Sequence, residues 1–174
     1  MSGNSSQRHK IKSKQGILLD LGSGTKKRPG FVRMDKNKSV HPDILHDLEK
    51  IPYPLKDESV MTLLAAHVVE HIKPWLMVDC MNEWWRILKT GSQMAIVMPY
   101  GYSDAFLSDP THCNPRNEIT WQYFDPRYGL YDIYRPNPWK IKMIAFQPNS
   151  HMEVLLEKIS QKEVPKLDGS QSTS

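Results

Sequence analysis

The sequence predicts an α/β domain built on a mostly parallel sheet with an antiparallel C-terminal strand, and three observations predict it. Short apolar runs alternate with helical periodicity between residues 16 and 160, a glycine-containing turn follows the first run directly, and an acid closes the second. Strands that alternate with crossovers pair in parallel, and their C-terminal ends then gather on one edge of the sheet. At 174 residues, 39% hydrophobic and 24% charged, the chain has room for one such domain and a real core.

The first strand is expected over residues 16–21 (GILLDL), stopped by Gly22-Ser23-Gly24, and the second over 31–34, ended by Asp35. Between them lies only TKKRPG, residues 25–30, where Pro29-Gly30 leaves space for about one helical turn at most, so the usual crossover helix is abbreviated or missing. A brief third strand is placed at 43–46, a proline-marked loop at 51–58 and a fourth strand at 60–66. The clearest helix starts at Pro74: Leu76, Cys80, Trp84 and Leu88 recur every four residues beside Met77 and Met81, and Gly91 reads as its stop. A buried strand follows at 94–98, closed by Pro99. Residues 100–137 are rich in Pro, Asp, Tyr and Asn without periodicity and read as a long substrate-side loop or lid. Residues 139–146 and 152–159 are taken as two final strands, although a helix fits the latter pattern equally.

Composition restricts the function classes. No run approaches the ~20 apolar residues of a membrane span, and the N-terminus lacks the apolar stretch of a secretory signal, so a cytoplasmic protein is expected. The net charge of +4 equals the cations Arg8, Lys10, Lys12 and Lys14, so the basic character belongs to residues 1–15, read as a flexible tail; residues 161–174 are read as a second one. Those N-terminal cations admit nucleic acid or an acidic partner only weakly, because a charge run is usually solvated. Cys80 and Cys113 have neither disulfide-framework nor zinc spacing.

LDLGSG at residues 19–24 and Asp35 form a pattern with a physical reason. Glycines let a turn bring its backbone against a ligand, and a carboxylate at the neighbouring strand tip accepts hydrogen bonds from ribose hydroxyls. A nicotinamide fingerprint asks for a third glycine where Lys27 stands and for an acid farther along than Asp35; a P-loop asks for a spacing that Gly22-Ser23-Gly24-Thr25-Lys26 lacks.

With those residues in place the chain resembles the class I S-adenosylmethionine-dependent methyltransferases, most closely the compact type 11-like ones. LDLGSG looks like their first motif and Asp35 like their ribose-binding acid. HDLEKIPYPLKDESV (46–60), AAHVVEHI (65–72) and RILKTGSQMAIVMP (86–99) are similar to later motifs in the same order, so the likeness covers about residues 16–100. It implies a Rossmann-like three-layer sandwich, S-adenosylmethionine as cofactor, and methyl transfer to an acceptor that the motifs do not identify. Carried over by position, it implies that Asp20, Gly22, Ser23 and Gly24 frame the methionine portion, that Asp35 binds the ribose, that Asp47 and Leu48 contact the adenine and that His67 lies near the sulfonium. A non-catalytic cofactor-binding module is the alternative, since the missing first helix removes part of the usual wall.

HVVEH, residues 67–71, also satisfies the H-x-x-E-H pattern of a zinc hydrolase built on His67, Glu70 and His71, which requires one helix through all three. The strand running into His67 and the helix starting at Pro74 argue against it, and the blander reading has Glu70 and His71 hydrogen-bonding a loop. In SDPTHCNPRNEIT, residues 108–120, His112 is the candidate general base with Asp109 beside it, against the plainer reading that the two pin the loop. Trp121, Tyr123, Phe124, Tyr128, Tyr131, Tyr134 and Trp139 either cover a substrate or pack the loop, and Lys26, Lys27 and Arg28 offer a weak anion site beside the glycine turn.

Overall fold

The computed structural model describes residues 16–165. Seven strands, β1 (Ile17–Leu21), β2 (Phe31–Asp35), β3 (Ile44–Leu45), β4 (Val60–Ala66), β5 (Leu88–Pro99), β6 (Trp139–Phe146) and β7 (His151–Lys158), form one sheet in the order β3-β2-β1-β4-β5-β7-β6. The first five are parallel, and β7 runs antiparallel between β5 and β6. This is the expected Rossmann-like arrangement. The expectation that residues 1–15 form a flexible tail lies outside the described residues, as does that for 166–174. Residues 161–165, assigned to the second tail, are described and include a 3-10 turn, Gln161–Glu163.

Side-chain alternation explains the layers. Leu19 and Leu21 of β1, Leu63 and Ala65 of β4, Met94, Ile96 and Met98 of β5, and Val154 and Leu156 of β7 point to one face and are buried there. Against them packs α1 (Met77–Ile87), preceded by a 3-10 turn at Pro74–Leu76. Its Met77, Cys80, Met81, Trp84 and Ile87 recur every three or four residues and are all buried, each large side chain contributing about 1.5–3 kcal/mol by leaving water. The opposite face is crossed by short connections, and Leu18, Leu64, Ala95 and Leu155 on it are half-buried. No helix links β1 to β2: Arg28 of that connection reaches back to Asp20, and Gly30 passes over Leu18.

Gly91 does not stop the helix. α1 already ends at Ile87, with the Leu88 N–H bonded to the Trp84 carbonyl, and Leu88 pairs with Val60 as the first residue of β5. Gly91 lies inside β5 at φ +79°, where the register jumps from Val60–Leu88 to Thr62–Gln93, so its freedom serves a bulge. Residues 139–146 form a strand as expected; the second strand of the hairpin begins one residue early, at His151.

Two sets of buried contacts, one polar and one apolar, fix the loops at the site edge. Glu83 of α1 accepts from the Tyr53 N–H at 2.6 Å and pairs with Arg86, while Tyr53 Oη donates to the Leu48 carbonyl at 2.9 Å and accepts from Trp84 Nε1 at 3.0 Å. That network holds residues 47–53 against α1. Within 100–137, buried Phe106, Trp121, Phe124 and Tyr131 anchor two short helices, α2 (Asp104–Leu107) and α3 (Tyr131–Tyr134), and a 3-10 turn at Glu118–Phe124 capped by Asn117. The buried aromatic side chains of this stretch therefore serve as packing, Trp121 and Phe124 within the main core. Tyr102, Tyr128 and Tyr134 remain exposed.

Candidate functional site: a cofactor groove beside a histidine cleft

Strand order reverses at β1, since β2 and β3 extend the sheet one way and β4 and β5 the other. Connections therefore diverge above the C-terminal ends of β1 and β4, and a crevice opens there. A groove of about 400 Å³ occupies it, lined by Gly22, Asp35, Asp47, Leu48, His67 and Val68 among others. Five of the predicted cofactor residues thus meet in one place.

Gly22 takes φ +60°, and a Cβ there would lie 2.6 Å from Val68 Cγ2, so two independent constraints require glycine. Gly24, at φ +53°, donates its N–H to Asp35 Oδ2 at 2.8 Å, while Asp35 Oδ1 accepts from the Asn37 N–H at 2.8 Å. These two bonds lock the carboxylate at the tip of β2, and each oxygen keeps a lone pair for another donor. Ser23 is buried, donates its N–H to the Met34 carbonyl and leaves its hydroxyl without a partner. Asp47 faces the groove while its Oδ1 accepts from the Glu49 N–H. Glu49 and Lys73 clasp the rim at 2.7 Å.

Asp20 is placed differently. Its side chain is buried under the first connection and paired with Arg28, and it does not line the groove. Burial pushes its carboxyl above the usual range even though Arg28, Lys26 and Arg33 pull it down. Arg28, read from sequence as part of an anion site, is thereby engaged within the chain.

Beyond His67 lies a second cleft of about 440 Å³, lined by His67, Glu70, His71, Asp109, His112 and His151, and sharing His67 and His71 with the groove. Three segments build it. At the end of β4, His67 adopts φ +59°, and the chain makes a 3-10 turn over Val69–His71; the helix that an H-x-x-E-H zinc site requires is not there. The Cys113 and Asn114 N–H groups both donate to the Glu70 carbonyl, and Asn114 Nδ2 donates to that of Val69. The 108–114 loop is thereby docked on the turn. The third segment is the start of β7, where pairing of Pro99 with His151 brings the His151 ring to 5.0 Å from that of His67.

The two predicted catalytic residues, Asp109 and His112, are both in this cleft. His112 Nδ1 donates to the Phe106 carbonyl at 2.9 Å, which leaves Nε2 as the free nitrogen, 3.7 Å from Asp109 Oδ2. Asp109 Oδ1 accepts from the N–H and hydroxyl of Thr111, which hold its carboxyl below the usual range. Glu70 is fully buried, neither of its carboxylate oxygens makes a well-formed hydrogen bond among the described residues, and burial raises its pKa to about 7. Burial likewise lowers His67 and His71, with neighbouring imidazoles adding to the effect, so both stay neutral at pH 7. Sequence reasoning did not place His151 here, because only the antiparallel pairing of β7 brings it in. The reading that Glu70 and His71 hydrogen-bond a loop fits His71, whose Nδ1 meets the Thr111 hydroxyl at 3.2 Å, and the Glu70 backbone carbonyl, but not the Glu70 carboxylate.

No family model matches the chain, and no curated protein matches it. Solved structures do. A SAM-dependent methyltransferase from Archaeoglobus fulgidus superposes with a TM-score of 0.62 at 15% identity, covering 82% of this chain and 86% of that one. A putative S-adenosylmethionine-dependent methyltransferase from Listeria monocytogenes gives 0.59 at 12% identity, covering 84% and 92%. A SAM-dependent methyltransferase from Aquifex aeolicus gives 0.57 at 13%, covering 83% and 82%. The chain has the class I methyltransferase fold. Within that fold the groove lies at the switch point and the histidine cleft at its open end. Among the described residues no helix is long and apolar enough to cross a membrane.

Proposed function

We propose that this chain binds S-adenosylmethionine in the groove and transfers its methyl group to an acceptor held in the histidine cleft. The observation that carries this reading is the convergence of the Gly22–Gly24 turn, the locked Asp35 carboxylate and the Asp47-Leu48 pair on one groove that opens into a second cleft. The residues present fit the cofactor. Gly22 presents its turning backbone on the groove wall while Val68 fills its side-chain position, and Asp35 on the same wall has lone pairs free for two ribose hydroxyls. The cofactor supplies an activated methyl group; the chain supplies alignment, and transfer needs the acceptor placed in line and shielded from water more than it needs a base. His112 suits the role of base only through Nε2, and Asp109 near that same nitrogen would hold the protonated form rather than orient the neutral one.

A second reading is a module that binds the cofactor without turnover, and the Asp20–Arg28 pair favours it, because a carboxylate carried over as part of the methionine frame is spent within the chain. Cofactor turnover separates the two. Purified protein is incubated with S-adenosylmethionine and separate small-molecule, protein and nucleic-acid fractions, and S-adenosylhomocysteine is measured by mass spectrometry. Product that depends on one fraction and is lost in Asp35→Ala supports the enzyme; tight cofactor binding with no product in any fraction supports the module.

A further inference from the structure

We propose that Glu70, His71 and His112 form a binding site for a divalent transition-metal ion of the zinc class, on the wall between the groove and the cleft. One ligand-capable atom from each lies within 4.8 Å of the other two. A tetrahedral ion with bonds of about 2.0–2.1 Å spaces its ligands roughly 3.3 Å apart, so atoms as much as 4.8 Å apart need to close by about 1.5 Å. His71 is exposed and can swing, whereas Glu70 is fixed by the two backbone bonds from Cys113 and Asn114 to its own carbonyl.

Three further observations point to a cation. Glu70 is 0% exposed and, among the described residues, neither carboxylate oxygen makes a well-formed hydrogen bond; His67 Nδ1 comes within 3.2 Å of Oε1 without hydrogen-bonding geometry, and the backbone N–H groups of Val68 and Glu70 itself only graze the carboxylate. A buried acid without a well-formed donor bond is uncommon and asks for an ion or a proton. Both imidazoles are also held in the form a metal needs. The Thr111 hydroxyl donates to Asp109 Oδ1 at 2.7 Å, so toward His71 Nδ1, 3.2 Å away, it acts as acceptor; His71 therefore carries its proton on Nδ1 and keeps the Nε2 lone pair. His112 does the same through its 2.9 Å bond to the Phe106 carbonyl. Such outer contacts are how proteins fix the ring nitrogen that a metal takes. Finally, two imidazoles and one carboxylate are the borderline-hard set that suits zinc, and three protein ligands leave a fourth position open toward the cleft. An all-oxygen magnesium or calcium site is ruled against by the same set. The arrangement differs from an H-x-x-E-H zinc helix: the second imidazole comes from the 108–114 loop, and His67 stands outside.

Metal binding does not depend on the cofactor reading, and the test uses no cofactor. The full chain is stripped with chelator, dialysed and titrated with zinc chloride by calorimetry, and with cobalt chloride while visible d–d absorption is followed. The expected result is one ion per chain with a tetrahedral cobalt spectrum. His71→Ala, at an exposed position, and His112→Ala each weaken binding by more than about 100-fold, whereas His151→Ala in the same cleft changes it less than about 3-fold. Glu70→Gln, which keeps the shape of the buried side chain, loses the site and shows that the carboxylate is the ligand. Circular dichroism of the metal-free variants confirms folding. No stoichiometric ion in folded protein overturns the proposal, and so does binding that survives His112→Ala but fails in His67→Ala.

Discussion

Gly22 is the residue at which backbone and packing constraints coincide. At φ +60° and with Val68 Cγ2 in the place of a Cβ, Gly22→Ala combines left-handed strain with overpacking, a cost of about 2–4 kcal/mol. The expected outcome is a lower melting temperature together with weakened S-adenosylhomocysteine binding. Gly24→Ala has the left-handed cost alone, since no atom lies within 4 Å of its Cβ position, and should lose about 1–2 kcal/mol. Equal losses at the two positions would contradict the role given to Val68. These glycines were legible in sequence as a turn, because a G-x-G after an apolar run has few other uses. The engagement of Asp20 with Arg28 was not: Arg28 lies eight positions on, across the irregular connection after β1, and only the folded connection shows that the cation turns inward.

At the scale of elements, buried carboxylates tie loops to the sheet. Asp125, fully buried after the Glu118–Phe124 turn, accepts from Arg127 through backbone and guanidinium and from the Ile141 N–H of β6 at 2.8 Å. Burial alone would push its carboxyl up, but those donors outweigh it and hold the carboxyl below 3.8. The folded state thus binds fewer protons than the unfolded one in that range. The stabilisation is complete above the ordinary carboxylate range and is lost as pH falls through the lowered value. Asp125→Asn should lower stability at pH 7 and flatten the acid limb of a denaturation profile taken from pH 6 to pH 2. A parallel profile would show that Asp125 does not carry this dependence. Strand β4 was readable to the residue from its apolar run, and the start of the helix region from Pro74. The helix end was not, because Leu88 continues the apolar period of α1 while its backbone already pairs with Val60. Periodicity cannot tell those two uses of one leucine apart.

For the whole molecule, the sheet order gathers the strand ends into one groove, and a ligand there binds only the folded chain. Saturation at 100 times its Kd would add about 2.7 kcal/mol, which for a domain of this size raises the melting temperature by roughly 5–10 °C. The half of the site carried by local motifs, Gly22, Asp35, Asp47 and Leu48, could be named from sequence because each sits at or beside a strand end marked by turn chemistry. The other half is assembled by tertiary pairing: His112 was a candidate from its loop, but only the docking of that loop on Glu70 puts it in the cleft, and His151, which the sequence did not suggest, comes in with the antiparallel β7. The most direct test of the cofactor groove is calorimetric titration of the full chain with S-adenosylhomocysteine, repeated on Asp35→Ala. One-to-one binding weakened by about 10- to 100-fold in the variant is the predicted result, the loss of charge-assisted bonds to the ribose. Folded protein that does not bind, or binding that the substitution leaves unchanged, would contradict it.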